Sequence, residues 1–151
     1  MPPQPRSLER RKRDALHRLE HDVDTWVATG GDPDRTPYLV PLSFLWDGTS
    51  LLIAAPSSSP TSRNLRSNAR VRVGIGPTRD VVLIEGIAHA VEASEITDEV
   101  GDPFAVKTGF DPRQLTTPYV YFRIVPRQIQ AWREADELDG RDLMRDGRWL
   151  V

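Results

Sequence analysis

The chain has 151 residues, 38% of them hydrophobic and 28% charged, with a formal net charge of -2 and no cysteine. That length suits one domain with a proper core, the near-neutral charge excludes the bulk basicity of a general nucleic-acid binder, and the missing thiols exclude disulfides, thiolate metal sites and cysteine nucleophiles. No apolar run approaches the roughly 20 residues of a membrane span, and Met1 Pro2 Pro3 Gln4 Pro5 lacks the apolar core of a signal peptide, so the expectation is a cytoplasmic protein without a membrane partner.

With prolines at positions 2, 3 and 5, residues 1–6 are expected to be disordered and residues 7–151 to form a single domain. Ser7 can cap a helix in which Leu8, Ala15, Leu16 and Leu19 make an incomplete apolar stripe among Arg10, Arg11, Lys12, Arg13 and Arg18. That basic run could face an acidic ligand or nucleic acid, but such a run is more often a solvated helix face, and no nucleic-acid partner is expected. Val23, Thr25, Trp26 and Val27 predict a strand within Asp22–Thr29, closed by the turn Gly30 Gly31 Asp32 Pro33. A strand over Thr36–Trp46 and another over Leu51–Ala55 flank the hairpin signal Asp47 Gly48. Pro41 inside the earlier of these marks an edge, a bulge or an irregular point, because proline removes a ladder donor. Such a break leaves neighbouring backbone groups free to bond a ligand.

The strand Leu51–Ala55 then runs into Pro56 Ser57 Ser58 Ser59 Pro60 Thr61 Ser62 Arg63 Asn64 Leu65. Free donors at a helix start, the positive end of the helix dipole, several hydroxyls and the Arg63 guanidinium converge there, which is the build of an anion site suited to a phosphate. Ser59 before Pro60 is equally an ordinary helix cap. Beyond a short helix ending near Asn68, Arg70–Ile75 and Val81–Val91 read as strands, with Gly86 at a bend or bulge. A helix is expected over Ser94 to about Thr108, interrupted at Gly101 Asp102 Pro103 and ended by Gly109. Tyr119–Val125 alternates as a strand, and Pro126 separates it from another at Gln128–Arg133. The fold class expected is mainly β (α+β): six or seven antiparallel strands joined by short turns into a barrel with flanking helices.

Familiar catalytic constellations are missing. His17 and His21 stand four apart on the first helix and His89 is alone, without the ligand set of a metal site. Gly74 Ile75 Gly76 Pro77 lacks the third glycine and the helix of a dinucleotide fingerprint, and the chain has neither a serine elbow nor a Walker loop. Asp136, Glu137, Asp139 and Asp142 read as a solvated acidic loop rather than an acid/base pair. With no catalytic side chain and no metal site expected, the phosphate-type loop points to chemistry carried by a cofactor.

The succession Trp26 Val27 Ala28 Thr29, Pro37–Gly48, Ser59–Arg66 and Asp80–Gly86 resembles the pyridoxamine 5'-phosphate oxidase-like split β-barrel proteins. Within that family the chain is most similar to the actinobacterial flavin and deazaflavin-dependent branch, a likeness that extends through Tyr119–Arg123, Gln130–Arg133 and Gly140–Leu150. The resemblance implies an FMN-binding type of split barrel, a homodimer with the cofactor in a groove between subunits, and a small-molecule substrate. The ring system would rest against Pro41, Leu42 and Ser43, while Ala54, Ala55, Ser59, Thr61, Arg63 and Asn64 would hold the phosphate. Trp132 and Arg133 would come from the partner subunit.

Thr61 stands where many relatives carry lysine, which leaves Arg63 as the loop's cation. That favours coenzyme F420, whose internal phosphodiester carries one charge and continues into an acidic glutamate tail, over FMN, whose terminal monoester carries close to two. Arg10, Arg11, Lys12 and Arg13 are candidates to attract the tail through screened charge. The implied activity is F420-dependent hydride transfer to an unsaturated or quinone-like molecule. The alternatives are an FMN-dependent reductase or oxidase and a non-catalytic flavin- or haem-binding barrel.

Overall fold

Cap chemistry places the starts of two of the three α-helices among the described residues. The computed structural model of the protein describes residues 4–30 and 32–151; Met1 to Pro3, the beginning of the stretch expected to be disordered, lie outside them. Helix α1 (Leu8–His21) begins where Ser7 Oγ accepts the Arg10 N–H at 3.2 Å. Helix α2 (Pro60–Ser67) begins where Ser59 Oγ accepts the Ser62 N–H at 3.2 Å, with Pro60 in the first turn. Helix α3 (Asp98–Thr108) starts behind Thr97, later than the expected Ser94, and ends at Gly109, whose φ of 71° is the left-handed stop that glycine adopts freely. It runs through Pro103 unbroken. One proline removes one ladder bond, and Phe104 beside it is buried in a packed cluster that holds the helix down.

There are eight strands among the described residues, β1 (Asp24–Thr29), β2 (Tyr38–Trp46), β3 (Leu51–Pro56), β4 (Arg70–Ile75), β5 (Val81–Glu92), β6 (Tyr119–Trp132), β7 (Asp142–Arg145) and β8 (Arg148–Trp149), of which β1 to β5 follow the expected positions closely. They pair antiparallel in the order β3-β2-β1-β4-β5-β6, and β3 pairs back on β6 to close a six-stranded barrel. The hairpin β7–β8 extends the sheet from β6, which the sequence reading had not foreseen as strands.

The two strands expected around Pro126 are one continuous β6 of 14 residues. Its partner β5 shifts register between Glu85 and Gly86, so that Gly86 faces Pro126 and Arg127 is the extra residue of the bulge. The strands approach closely there: a Cβ on Gly86 would lie 2.7 Å from the Val125 carbonyl oxygen and 2.8 Å from Ile124 Cγ2. Glycine at 86 thus lets a proline-containing strand continue instead of ending.

Alternation fills the barrel. Val27, Val71, Val73, Ile75, Val82, Ile84, Phe122 and Ile124 point inward, and Ala15 and Leu19 of α1 join the same core. A second, smaller cluster of Leu52, Ala54, Phe104 and Tyr121 lies where α3 packs. Every residue of Leu51–Ala55 is therefore buried, which explains why β3 is apolar on both faces. Lys107 of α3 donates from Nζ to the Leu19 carbonyl at 3.1 Å and stands 4.1 Å from the Phe44 ring centroid, tying α3 to the end of α1; burial pushes its amine below the usual range.

Two charged segments depart from expectation. Arg6, assigned to the disordered N-terminus, is 8% exposed, and Glu137, assigned to a solvated acidic loop, is 2% exposed. Arg6 donates to the Glu137 carboxylate from its backbone N–H at 2.8 Å, from Nε at 3.0 Å and from Nη2 at 2.8 Å. The carboxylate is neutralised by a guanidinium far away in sequence, so the loop is not the solvated one that its composition suggests.

Candidate functional site

The end of β3 and the start of α2 form the loop in which the sequence concentrates its hydroxyls. The Ser57 N–H donates to the Pro118 carbonyl at 2.9 Å, the Ser59 N–H to the Pro56 carbonyl at 3.0 Å, and the Arg63 N–H to the Ser59 carbonyl at 3.0 Å, so the backbone of the loop is held rigidly. Ser59 and Ser62 are spent on structure: their hydroxyls bond each other at 3.1 Å, and Ser62 Oγ donates to the Pro56 carbonyl at 2.7 Å. Asn64 is likewise engaged, its amide donating to Thr29 Oγ1 at 3.1 Å and fastening α2 to β1.

Other groups are left over. Ser57 Oγ is buried with no hydrogen-bond partner among the described residues. The Thr61 hydroxyl and the exposed Arg63 guanidinium make no side-chain hydrogen bond or ion pair among the described residues, and the Thr61 N–H, at the second helical position, has no intrahelical acceptor. A buried orphan hydroxyl costs about 1–3 kcal/mol unless something satisfies it. These donors and one free cation are what an anion needs. Arg63, Asn64 and Ser67 line a cleft of about 420 Å³ with Asp32 and Arg35.

Beside this loop the barrel is split. Strand β2 pairs with β3 only over Phe44–Trp46 and Leu51–Ile53, so Tyr38–Ser43 have β1 on one side and an open edge on the other. The Phe44 N–H donates to the Val23 carbonyl at 2.8 Å, and the alternation of an antiparallel ladder then puts the Pro41–Trp26 pair in a non-bonded position. Proline costs nothing there, because its missing donor faces the open edge. Pro41, Leu42 and Ser43 line that edge, and Ala54 and Ala55 lie on the facing stretch of β3, beyond Ile53, where β3 has no β2 partner. Their side chains are buried, Ala54 in the α3 cluster and Ala55 on the opposite face of the strand, so it is the edges of the two strands, not the methyl groups, that border the split.

Trp132 and Arg133 stand apart from these residues. Pro56 pairs with Tyr119 at the opposite end of β6 from Trp132, which puts on the order of 40 Å of strand between them. Arg133 Nε lies 3.3 Å from Asp80, and Arg141 lies 5.3 Å from the Trp132 ring centroid. One chain brings Pro41, Leu42, Ser43, Ala54, Ala55, Ser59, Thr61, Arg63 and Asn64 into one region and leaves Trp132 and Arg133 outside it.

Two of the four cations of the basic run of α1 are committed elsewhere. Arg11 is buried and donates to the carbonyls of Arg6 at 3.2 Å and Glu137 at 3.1 Å, and Lys12 Nζ donates to the Val151 carbonyl at 2.7 Å. These two cations close the chain's two ends together, which removes them as candidates for an acidic ligand. His17 and His21 stack with ring centroids 4.1 Å apart, His21 Nδ1 lying 2.8 Å from the His17 carbonyl oxygen. Arg35 and Ser57 are the residues that sequence reasoning missed. Ser57 could have been found from the loop's hydroxyl run, whereas nothing local connects Arg35 to Arg63.

A family model described as pyridoxamine 5'-phosphate oxidase matches residues 18–133. No curated protein matches the sequence. Among solved structures, a conserved hypothetical protein from Mycobacterium tuberculosis is 22% identical with a TM-score of 0.67, covering 83% of this chain and 86% of that one. General stress protein 26 from Bacillus anthracis is 20% identical with a TM-score of 0.62, covering 80% of this chain and 92% of that one. A protein named F420 reductase is 21% identical with a TM-score of 0.57, covering 75% of this chain and 93% of that one. At these identities the likenesses show the fold alone. The family model spans both strands of the split, the hydroxyl loop and the end of β6, and on that match the chain belongs to the pyridoxamine 5'-phosphate oxidase family.

Proposed function

We propose that the protein is an oxidoreductase that binds coenzyme F420 and moves a hydride between it and an unsaturated or quinone-like small molecule. The observation that carries this reading is the set of unspent donors, Ser57 Oγ, the Thr61 hydroxyl and N–H and the Arg63 guanidinium, beside a barrel edge left open over Tyr38–Ser43. A phosphate fits the donors, and a planar ring system fits the open edge, whose free backbone groups can bond its polar rim. When bound, the reduced cofactor supplies the hydride, and the acceptor takes its proton from solvent. The residues of this chain bind and orient; Pro41, Leu42 and Ser43 at the split, and Ala54 and Ala55 facing them, carry no acid or base. Thr61 adds hydrogen-bonding capacity without charge, which suits the single charge of the F420 diester better than the near-double charge of FMN. The name of one similar structure, F420 reductase, agrees with that choice.

Titrating F420 and FMN separately into the purified protein tests the reading, followed by assays of each reduced cofactor with quinone and enone acceptors. Tighter binding of F420 and acceptor-dependent oxidation of its reduced form are expected. FMN binding equally or more tightly would reject the cofactor preference, and cofactor binding without turnover of any acceptor would favour a storage or sensing role.

The site is completed, on this reading, by a two-fold homodimer in which Trp132 and Arg133 of one protomer reach the groove of the other. Trp26 is 53% exposed and Leu39 60% exposed on adjoining strands beside Pro41, an apolar surface of the kind that dimers bury. Light scattering should give twice the chain mass at micromolar concentration. A stable monomer that still binds cofactor would overturn the shared site.

A further inference from the structure

The cleft beside Arg63 holds a second cation. Arg35, from the turn between β1 and β2, lines it together with Arg63, Asn64, Ser67 and Asp32. Many of the chain's other arginines are neutralised: Arg6, Arg18 and Arg133 share Asp80, Arg66 pairs with Glu92 at 2.8 Å, and Arg72 pairs with Glu85 at 3.0 Å. Neither Arg35 nor Arg63 has an ion pair or a side-chain hydrogen bond among the described residues. The turn that carries Arg35 is shaped by its own backbone, the Arg35 N–H donating to the Asp32 carbonyl at 3.0 Å, while the Asp32 carboxylate accepts the Asp34 N–H at 3.0 Å. Counting Asp32, the cleft keeps a net positive charge, and its guanidiniums are free to take a ligand.

Position decides which part of a ligand Arg35 meets. The phosphate donors belong to the loop and the first turn of α2, and the cleft that Arg35 lines runs from there along Arg63, Asn64 and Ser67 to the end of the helix. From Pro60 to Ser67 the helix rises about 10 Å. We propose that Arg35 binds a glutamate carboxylate of a tail that continues past the phosphate, so that it selects a cofactor with an internal phosphodiester and an acidic glutamate tail over one that ends at a phosphate. Arg63 then stands at the junction and Arg35 beyond it. This role replaces the one expected for the α1 cations, two of which are consumed in closing the chain ends. The inference rests on the F420 reading above.

The test is a calorimetric titration of F420 bearing several glutamates, F420 bearing none, and FMN into the wild type, Arg35→Gln and Arg63→Gln, at low and moderate salt. Arg35→Gln should weaken the polyglutamate form about fivefold at low salt, less at moderate salt, and leave the glutamate-free form unchanged. Arg63→Gln should weaken both forms of F420. Equal weakening of the glutamate-free form by Arg35→Gln would put Arg35 on the phosphate or on the carboxylate next to it, not on the glutamates, and overturn the proposal, as would an unchanged affinity for the polyglutamate form. A different failure, in which wild type binds FMN as tightly as either form of F420, rejects the cofactor reading itself and withdraws the basis of this inference with it. Arg35 is exposed in a turn, so the variants are expected to fold like the wild type.

Discussion

Replacing Glu137 with alanine is expected to lower the unfolding free energy by about 3–5 kcal/mol, the cost of removing one partner from a buried ion pair. The Glu137 carboxylate accepts three bonds from Arg6 and one from the Arg133 N–H at 2.8 Å, while Arg11 donates to the Glu137 carbonyl at 3.1 Å. Alanine would leave the Arg6 guanidinium buried with only the partly exposed Asp14 and Asp80 near it. The hydrogen bonds from Arg6 hold the Glu137 carboxyl well below the usual carboxylate range, at about 2 against burial that pushes the other way. A group whose folded pKa is depressed stabilises the fold above its unfolded pKa, so this contribution is complete above about pH 4.5 and is lost as pH falls towards 2. Thermal melts of wild type and Glu137→Gln over that range check it: the gap between them should close as the acid limit is reached. A melting temperature unchanged by Glu137→Ala at neutral pH would show that the cluster is closed by its other members. Because Arg133 is one of those members, the same variant should also loosen the end of β6.

Arg63→Ala is expected to weaken cofactor binding by about 1.5–3 kcal/mol, roughly tenfold to a hundredfold, because a charge-assisted bond to phosphate is lost from a cleft whose other cation, Arg35, is proposed above to meet the tail. The fold should be indifferent to the change. The side chain is exposed and bonds nothing among the described residues, and α2 is capped by Ser59 and tied to β1 by Asn64. Calorimetric titration with a parallel melt separates the two effects: an unchanged dissociation constant would make Arg63 a solvated surface arginine, and a lowered melting temperature would make it structural. Asn64→Ala should behave in the opposite way, since its amide is spent on Thr29.

What the sequence determined by itself was local. Ser7 and Ser59 announce helix starts because a short hydroxyl side chain can bond the free N–H groups of the next turn, and Gly109 announces a helix end because glycine adopts a positive φ freely. Asp47 Gly48 announces a hairpin for similar reasons: Asp47 accepts from the N–H groups of Thr49 at 2.9 Å and Ser50 at 2.7 Å, and Gly48 has a φ of 102°. Pro41 could be read as a mark of open edge because its missing donor is a property of the residue alone. The order of these signals along the chain was enough to bring the family into view.

Tertiary structure decided whatever depends on residues far apart in the chain. Pro126 looks like a strand end until Gly86 is placed against it, where the absence of a Cβ admits the close approach that keeps β6 whole. Glu137 looks like a solvated acid until Arg6 closes on it from 131 positions away, because a carboxylate's burial is set by the charge that compensates it and not by its neighbours in sequence. Ser59 and Asn64 belong to the candidate site by sequence, yet each spends its side chain on holding α2, and only the accounting of donors in three dimensions separates them from Ser57, Thr61 and Arg63, which have bonds to give. Arg35 shares a cleft with Arg63 only because the β1–β2 turn and α2 lie at the same end of the barrel, a juxtaposition made by strand pairing that leaves no trace in the spacing of the two residues.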